Sequence, residues 1–350
     1  MTTPWYQQAC QGTDQNSIDR AISHQAILTK PAGSLGQLED IAVAFCGWQN
    51  TNHPTCDEIQ VSVFAGDHGV CNQGVSAFPQ EVTAQMVFNF LSGGAAISVL
   101  ANNLNAELSI VNMGVKTELE DAPKLNNINL MPGTEDFTTS SAMSESILQQ
   151  ALAAGADQVL DQPQKPELFI GGDMGIGNTT SASAIYSLLL DLPPSITVGP
   201  GTGVDEDGIK IKQQVLRQAI EMHQAEIYSP LDVLQRVGGL EIAGLVGAYI
   251  ACAQQGIPIL VDGFITSAAA LLATKINPDT RNWMLFAHNS AEPAHIHALT
   301  AMQAKPILDI GMRLGEGSGA GVAITIIQSA LKLHSQMATF TKAGVSEKEA

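Results

Sequence analysis

Basic residues, aromatic residues and cysteines are all scarce in this chain, and each shortage argues against a class of protein. Lys and Arg number 16 against 34 Asp and Glu, which gives a formal net charge of -18. This balance argues against nucleic acids and anionic membranes as main partners, because both are bound through basic patches. A phosphorylated small molecule stays possible as a ligand, since backbone N–H groups and one or two lysines can hold a phosphate.

The five cysteines are scattered, and no two are spaced C-x-x-C. This pattern argues against a disulfide framework and against a thiolate zinc site. Residues 1–20 contain no basic segment followed by an apolar core, so the sequence predicts a cytoplasmic protein without a signal peptide. The apolar stretch 239–253 carries Glu241 and is too short to span a bilayer, so it predicts a buried helix.

The hydrophobic pattern predicts an α/β protein with an aliphatic core, since hydrophobic residues make up 45% of the chain and aromatic ones only 5%. Helices are predicted over 17–30, where Pro31 stops the first, and over 34–49. The first helix has an apolar stripe made of Ile18, Ala21, Ile22, Ile27 and Leu28. Six short β-branched runs follow, over 59–69, 108–114, 168–180, 195–203, 257–267 and 283–292. Helix-like segments separate these runs, which is typical of a parallel sheet covered on both faces.

Two further segments complete this outline. Residues 115–140 are polar and predict an irregular surface segment, whereas 320–338 predict a long helix that can return to pack with the N-terminal helices. Open parallel sheets bind ligands at the carboxyl ends of their strands. The conspicuous motifs of this chain all fall at that edge.

Two glycine-rich loops are candidates for binding a phosphate or a ribose. "GGDMGIGNTT" (171–180) follows a predicted strand and presents Asn178 and Thr179 at a helix start, although a tight turn with a threonine N-cap explains it equally well. "GPGTGVDEDG" (199–208) forms an anion-binding turn with Lys210 and Lys212 just beyond, or else a solvated turn before a surface helix. Neither loop has the G-x-G-x-x-G spacing or the P-loop lysine, which disfavours a dinucleotide oxidoreductase.

The segment "ILVDGFITSAA" (259–269) resembles the loop of phosphoribosyltransferases that use phosphoribosyl pyrophosphate. Those enzymes carry two adjacent acids, but here Asp262 is followed by Gly263. A ribose or phosphate site at Asp262 therefore remains possible, without the acid pair that helps to hold metal-bound pyrophosphate. A structural aspartate at a strand end is the alternative.

Two motifs contain histidines. In "FAGDHGV" (64–70), Asp67 and His68 stand at a strand tip, where they can contact a ligand or hydrogen-bond the loop. "AHNSAEPAHIH" (287–297) offers His288, Glu292, His295 and His297, but their spacing fits no two-histidine helix motif and a proline interrupts them. We therefore expect no metal site.

An amphipathic helix is predicted over 78–94, with Val82, Met86 and Phe90 on one face. Gln85 belongs to a polar row on another face, which solvent exposure alone can explain. Alternatively, Phe78, Gln85 and Met86 can form the wall of a pocket for a flat aromatic ligand.

The stretch "MRLGEGSGA" (312–320) places one carboxylate, Glu316, in a loop of glycines. Glycine lets the backbone approach a ligand and adopt φ and ψ angles closed to other residues. Glu316 is therefore a candidate catalytic group, although a helix cap is geometrically possible because a helix begins just after it.

Together these motifs resemble one family, nicotinate-nucleotide:dimethylbenzimidazole phosphoribosyltransferase, over nearly the whole chain and in order. The residues that carry the resemblance are "PAGSLGQLE" (31–39), "FAGDHGV" (64–70), "QEVTAQMV" (80–87), "GGDMGIGNTT" (171–180), "GPGTGVD" (199–205), "VGGLEIAGLVGA" (237–248), "ILVDGFITSAA" (259–269), "HNSAEPAH" (288–295) and "LDIGMRLGEGSGA" (308–320). The family's reaction moves the ribosyl phosphate of nicotinate mononucleotide onto 5,6-dimethylbenzimidazole, with inversion at the anomeric carbon.

The resemblance implies a doubly wound, mainly parallel Rossmann-like sheet and a small helical bundle built from both chain ends. The expected domains are residues 1–50 with 325–350, and residues 51–324. The resemblance also implies a homodimer, no cofactor and no metal. Such an enzyme needs one base to take a proton from the incoming benzimidazole, and Glu316 matches that base by motif position.

The other site residues follow from the same resemblance. Asp173 stands where the family pattern has glutamate. The shorter acid keeps the charge but reaches less far, and the resemblance implies that it supports the base or the oxocarbenium-like transition state. The residues implied for the nucleotide are Gly175, Gly177, Asn178, Thr179, Gly201, Thr202, Gly203, Lys212 and Asp262, and those implied for the base are Phe78, Gln85, Met86, Met174 and Leu314. A non-catalytic nucleotide- or corrinoid-binding protein on the same scaffold is the alternative. The sequence leaves open the range of acceptor bases and whether Lys210 or Lys212 contacts the phosphate.

Overall fold

The computed structural model describes residues 3–201 and 203–346. Seven strands in this part of the chain form one sheet in the order β3-β2-β1-β4-β5-β6-β7, and every neighbouring pair is parallel. The strands are β1 Ile59–Gly66, β2 Glu107–Gly114, β3 Leu125–Asn127, β4 Leu168–Met174, β5 Ile259–Val261, β6 Met284–His288 and β7 Pro306–Leu308.

Helices precede, connect and follow the strands. They are α1 Gln15–Ile27, α2 Gln37–Gln49, α3 Glu81–Leu91, α4 Ala96–Asn103, α5 Glu145–Leu160, α6 Asn178–Leu190, α7 Pro194–Thr197, α8 Glu206–His223, α9 Pro230–Val237, α10 Leu240–Gln255, α11 Phe264–Ile276, α12 His295–Ala301, α13 Ser318–Gln336 and α14 Phe340–Ala343. Short 3-10 helices span Trp5–Gln7, Gly69–Gln73, Gln224–Glu226 and Pro278–Trp283.

Each face of the sheet carries its own hydrophobic core. Phe64 and Phe169 point into the core beneath α5, α6, α10 and α11, whereas Val63 and Ile170 point into the core beneath α2, α3, α4 and α13. Successive residues of a strand face opposite sides, so the continuous apolar runs of β1 and β4 supply both cores. This confirms the predicted doubly wound parallel α/β fold.

The predicted strand over 195–203 is wrong. Residues 194–197 form the short helix α7, which begins at Pro194, and β4 pairs directly with β5 in the sheet. Strand β7 was not predicted. The segment 115–140 contains the short edge strand β3 and the buried side chain of Phe137, so it is less irregular than expected.

Helix α1 ends earlier than predicted, because tertiary pairing extends the chain before Pro31. Leu28 forms an antiparallel bridge with Thr339, and the N–H of Thr29 donates to the carbonyl of Ala338. The predicted stripe is also only partly buried, since Ile22 and Ile27 are exposed.

The chain ends meet as expected, because α13 packs against α2. The ring Nδ1 of His334 lies 2.9 Å from the side-chain nitrogen of Gln25, and the ring Nε2 of His24 lies 2.9 Å from the carbonyl oxygen of His334. The predicted domain boundary at 325 falls inside α13, which runs without a break from the glycine loop to the terminal helices. The division into two domains stays a prediction.

The segment Glu81–Asn103 is long and apolar enough to cross a membrane by length and composition alone, with a mean hydropathy of 1.4. It contains two helices, α3 and α4, which are interrupted between Leu91 and Ala96. Both helices pack against β2 of the sheet. Their buried apolar residues, among them Val87, Phe90, Ile97 and Ala101, therefore belong to the core of this fold.

Candidate active site

A cavity of about 630 Å³ opens at the carboxyl ends of the strands, where the motifs were expected to meet. Its wall consists of Phe78, Val82, Met86, Asp173, Met174, Gly175, Ile176, Asn178, Thr179, Gly201, Gly263, Phe264, Ile265, His288, Ser290, Glu292, Arg313, Leu314, Gly315 and Glu316. The volume is in the usual range for a small-molecule site. Ten of the predicted site residues lie on this wall: Phe78, Met86, Asp173, Met174, Gly175, Asn178, Thr179, Gly201, Leu314 and Glu316.

The loop after β4 leads directly into α6. Gly177 has a φ of 97° and is the N-cap of α6, which glycine adopts without strain. Gly175 passes so close to β1 that a Cβ there would lie 2.2 Å from the carbonyl oxygen of Gly66. The N-terminus of α6 thus faces the cavity, in an arrangement suited to an anion.

Lys212 reaches this loop from α8. Its Nζ donates to Oγ1 of Thr179 at 2.8 Å and to the carbonyl of Gly199 at 3.4 Å, and its side chain is buried. Lys210 instead points into solvent and pairs with Asp207. Of the two lysines, therefore, only Lys212 lies next to the glycine loops.

Glu316 occupies a left-handed backbone conformation, with φ at 65° between Gly315 and Gly317. Its side chain is only 6% exposed, and its Oε2 atom has no hydrogen-bond partner among the described residues. The backbone of the loop lies against β4, because a Cβ on Gly172 would come within 2.5 Å of the Glu316 carbonyl oxygen. A strained non-glycine residue with a free carboxylate is a feature of functional sites.

The helix cap considered for Glu316 is provided by Asp262 instead. The carboxylate of Asp262 accepts the main-chain N–H groups of Gly317 and Ala320, at 3.2 and 2.8 Å, and so stabilises the start of α13. Asp262 is buried and absent from the cavity wall. This geometry corresponds to the structural alternative for Asp262 and not to its predicted contact with the nucleotide.

Burial perturbs the two acids at the cavity. Burial, and then the charge of Asp262, raise the pKa of Glu316 to about 7. Burial, followed by the charges of Asp262, Glu241 and Glu316, raises the pKa of Asp173 well above its ordinary value. The side-chain amide of Asn178 donates to Asp173 at 2.9 Å and opposes this shift. A carboxylate with a pKa near neutrality is well suited to accept a proton.

One wall of the cavity is apolar. The cavity is lined by the apolar side chains of Phe78, Val82, Met86 and Leu314, and Phe78 is half exposed at 48%. Gln85 is exposed on the outer face of α3 and absent from the cavity wall, so its predicted contact with the base is not supported by this geometry. The helical period explains this, because residue 85 lies about 100° around the helix from residue 86.

Thr202 lies outside the described residues. The other remaining predicted positions are absent from the cavity wall, and the space around the Cα of Gly203 is open. Gly177 and Lys212 border a small recess next to the cavity. Within the described part of the chain, no group of three or more His, Cys, Asp or Glu residues is arranged to hold a metal ion.

Three residues of the histidine motifs, Asp67, His68 and His295, make hydrogen bonds within the fold. His68 and Glu241 form a fully buried pair at 2.8 Å, and the ring of His295 lies 2.9 Å from the hydroxyl of Ser267. Asp67 accepts hydrogen bonds from the hydroxyl of Thr83 and the backbone of Lys116. The loop-stabilising alternative therefore describes Asp67 and His68 better than ligand contact does.

Sequence reasoning missed the roles of Glu292 and Arg313 in the cavity wall. Glu292 is buried beside the glycine loops, and its Oε1 atom has no partner among the described residues. Arg313 donates to the carbonyl of Gly201 at 3.1 Å and so ties the Glu316 loop to the second glycine loop. The sequence signal that could have identified Arg313 as a site residue was its position close to Glu316 in the same glycine-rich stretch.

Glycine loops at a helix N-terminus, a buried lysine and a free carboxylate beside an apolar wall define an α/β transferase-type site for a phosphorylated small molecule. The family described as phosphoribosyltransferase (DBI_PRT) matches residues 10–345. The chain belongs to this family of enzymes.

Relatives and solved structures agree with this membership. Nicotinate-nucleotide--dimethylbenzimidazole phosphoribosyltransferase of Pseudomonas putida (strain F1) is 50% identical over 351 residues and covers 100% of both chains, and that of Pseudomonas aeruginosa (strain UCBPP-PA14) is 48% identical with the same coverage. The crystal structure of CobT from Thermus thermophilus superposes with a TM-score of 0.90 at 40% identity, covering 95% of this chain and 100% of that one.

Proposed function

We propose that this enzyme transfers ribosyl 5-phosphate from nicotinate mononucleotide to 5,6-dimethylbenzimidazole, giving α-ribazole 5′-phosphate and nicotinate with inversion at C1′. The observation that carries the proposal is the buried carboxylate of Glu316, whose Oε2 has no hydrogen-bond partner among the described residues and which shares the cavity wall with an apolar surface and two glycine loops. The names of relatives about half identical over their full length support the same pair of substrates.

The nucleotide is assigned to the glycine loops. Its phosphate would lie at the N-terminus of α6 with Lys212 and Gly175, where backbone N–H groups and one buried cation are available. The free Oε1 of Glu292 would accept a hydrogen bond from a ribose hydroxyl, because it is buried on the cavity wall and lacks a partner among the described residues.

The base is assigned to the apolar wall, with Phe78, Met86, Met174 and Leu314 contacting its flat faces. One ring nitrogen attacks C1′ while the C1′–N bond to nicotinate breaks, and the bonding electron pair leaves with the nicotinate nitrogen. Glu316 takes the proton from the second ring nitrogen of the benzimidazole. The leaving group is already cationic and needs no proton, so one base is sufficient; Asp173 would support the charge that develops on the ribose.

Incubation of the protein with both substrates tests the proposal, with nicotinate and the new nucleotide identified by mass. We expect both products from the wild type, and in the Glu316→Gln variant turnover about 10²- to 10⁴-fold slower with nucleotide binding kept. Turnover of the variant at the wild-type rate would contradict the role of Glu316. Binding of nicotinate mononucleotide without any released nicotinate would favour the alternative, a nucleotide- or corrinoid-binding protein.

We also propose a cytoplasmic homodimer. Phe88 on α3 and Val99 on α4 are large apolar side chains exposed on neighbouring helices, which is a surface suited to a second copy. Light scattering after size-exclusion chromatography tests the dimer: we expect twice the monomer mass for the wild type and a monomer for a Phe88→Asp, Val99→Asp double variant.

A further inference from the structure

Thr83 lies at the junction between the two halves of the cavity without lining it. It belongs to the first turn of α3, between the wall residue Val82 and the following turn that carries Met86. Its hydroxyl accepts the main-chain N–H of Ile176 at 3.2 Å, in the middle of the glycine loop after β4. One fully buried hydroxyl thus joins the helix assigned to the base to the loop assigned to the nucleotide.

The direction of this hydrogen bond is set by Asp67 at the tip of β1. The Thr83 hydroxyl donates to Oδ1 of Asp67 at 2.7 Å, which leaves its oxygen lone pairs free to accept from Ile176. The second carboxylate oxygen of Asp67 accepts the main-chain N–H of Lys116 at 2.9 Å. Asp67 is therefore held from two sides, and the hydroxyl of Thr83 has one favourable orientation.

His68, which follows Asp67 at the end of β1, contacts both α3 and the loop after β4. The side chain of Gln80 donates to the carbonyl of His68 at 2.8 Å, which ties the start of α3 to β1. A Cβ on Gly177 would lie 3.1 Å from the Cβ of His68, so the loop rests directly on that residue. The buried pair of His68 with Glu241 holds this support in place. The loop after β4 is thus connected to α3 directly, by the hydrogen bond from Ile176 to Thr83, and indirectly, through His68.

We propose that Thr83 is a positioning residue that couples the two halves of the cavity, so that occupation of the nucleotide loop increases the affinity of the apolar wall for the base, and the reverse. A nucleotide phosphate at the N-terminus of α6 orders the loop around Ile176. The hydrogen bond to Thr83 then fixes the first two turns of α3, which carry Val82 and Met86. Because coupling between two binding sites is reciprocal, the base must increase the affinity for the nucleotide by the same factor.

The experiment measures this factor by calorimetry, in a Glu316→Gln background where transfer is slow. Dissociation constants for dimethylbenzimidazole are determined with and without nicotinate mononucleotide, and the converse pair checks reciprocity. We expect tighter binding by about fivefold or more in the presence of the other substrate. The Thr83→Val variant, which keeps the shape but removes both hydrogen bonds, is expected to lose most of this factor, and Thr83→Ser is expected to keep it.

Thr280→Val is the matched control. Thr280 is equally buried, but it lies in the 3-10 helix that precedes β6, at the amino ends of the strands, where its hydroxyl lies 3.8 Å from the thiol of Cys10. We expect its coupling factor to equal that of the parent. An unchanged factor in Thr83→Val would overturn the proposal, because direct contact between the substrates would then explain the coupling. So would the absence of any coupling in the parent.

The less disruptive Thr83→Cys variant, whose thiol is a weak donor and acceptor, makes the same test if Thr83→Val does not fold. The inference rests on the proposed pair of substrates, yet the two can fail separately. Product formation by the wild type tests the function, whereas binding to the Glu316→Gln protein tests the role of Thr83.

Discussion

The carboxylate of Asp262 accepts the main-chain N–H of Ala320 at 2.8 Å, and that of Gly317 at 3.2 Å. The end of β5 thereby caps the helix that begins directly after Glu316. Because Asp262 accepts these N–H groups, the carboxylate of Glu316 is not needed as the helix cap and can face the cavity.

Removal of this cap should cost both stability and activity. In Asp262→Ala the two buried N–H groups lose their acceptor, and we expect the free energy of unfolding to fall by about 2–4 kcal/mol. Turnover should fall as well, because the loop that carries Glu316 loses its anchor. Urea denaturation and a product assay measure the two effects. Asp14→Ala, which removes the remote cap of α1, should destabilise the protein less and leave turnover unchanged; an equal loss of turnover in both variants would contradict the assignment.

The titration of Glu316 can be followed directly in the free protein. Burial raises the pKa of this carboxyl group to about 7, so the group is protonated below pH 7 and ionised above it. We expect the infrared difference between the wild type and Glu316→Gln to show a carboxylic acid converting to carboxylate with a midpoint near pH 7. Only the ionised form accepts a proton, so turnover should decline as the pH falls below 7. A midpoint at the ordinary value for glutamate would refute the proposed environment.

Lys212 should control affinity for the nucleotide. Lys212→Ala should raise KM for nicotinate mononucleotide about 10- to 100-fold, as expected for loss of a charged hydrogen bond, with a smaller effect on KM for the base. Burial lowers the pKa of Lys212 to about 8, so wild-type KM should rise above pH 8 as the charge is lost. In Lys212→Arg this rise should disappear, because arginine stays charged. The exposed Lys210 is the control, and an equal effect of Lys210→Ala would disprove the assignment.

Steady-state kinetics of Phe78 and Gln85 variants test the base half of the cavity. Phe78→Ala removes apolar wall and should raise KM for dimethylbenzimidazole about tenfold, with little change in KM for the nucleotide. Gln85→Ala should change neither constant, because the side chain of Gln85 is exposed outside the cavity. A raised KM for the base in Gln85→Ala would restore the contact predicted from the sequence.

Much of the fold was predictable, because apolar runs and glycine loops are local signals. The predicted runs over 59–69 and 168–180 contain the central strands β1 and β4, and the buried helix α10 was expected from its continuous apolar stretch. The prediction of a strand over 195–203 was wrong because residues 194–197 form a helical turn that begins at Pro194. Strand β4 pairs with β5, so this segment does not enter the sheet between them. The edge strand β7 is three residues long, too short for a periodic signal.

By itself, the sequence determined the parallel sheet, the edge at which the motifs gather and the membership in one family, because these depend on residue types and their order. The tertiary structure decided which environment, exposed to the cavity or buried in a cap, each of several similar side chains has. Glu316 and Asp262 are both acids beside glycines, but only the path of α13 shows which of them caps a helix. Burial and hydrogen-bond partners arise from segments far apart in the chain, and no local pattern records them.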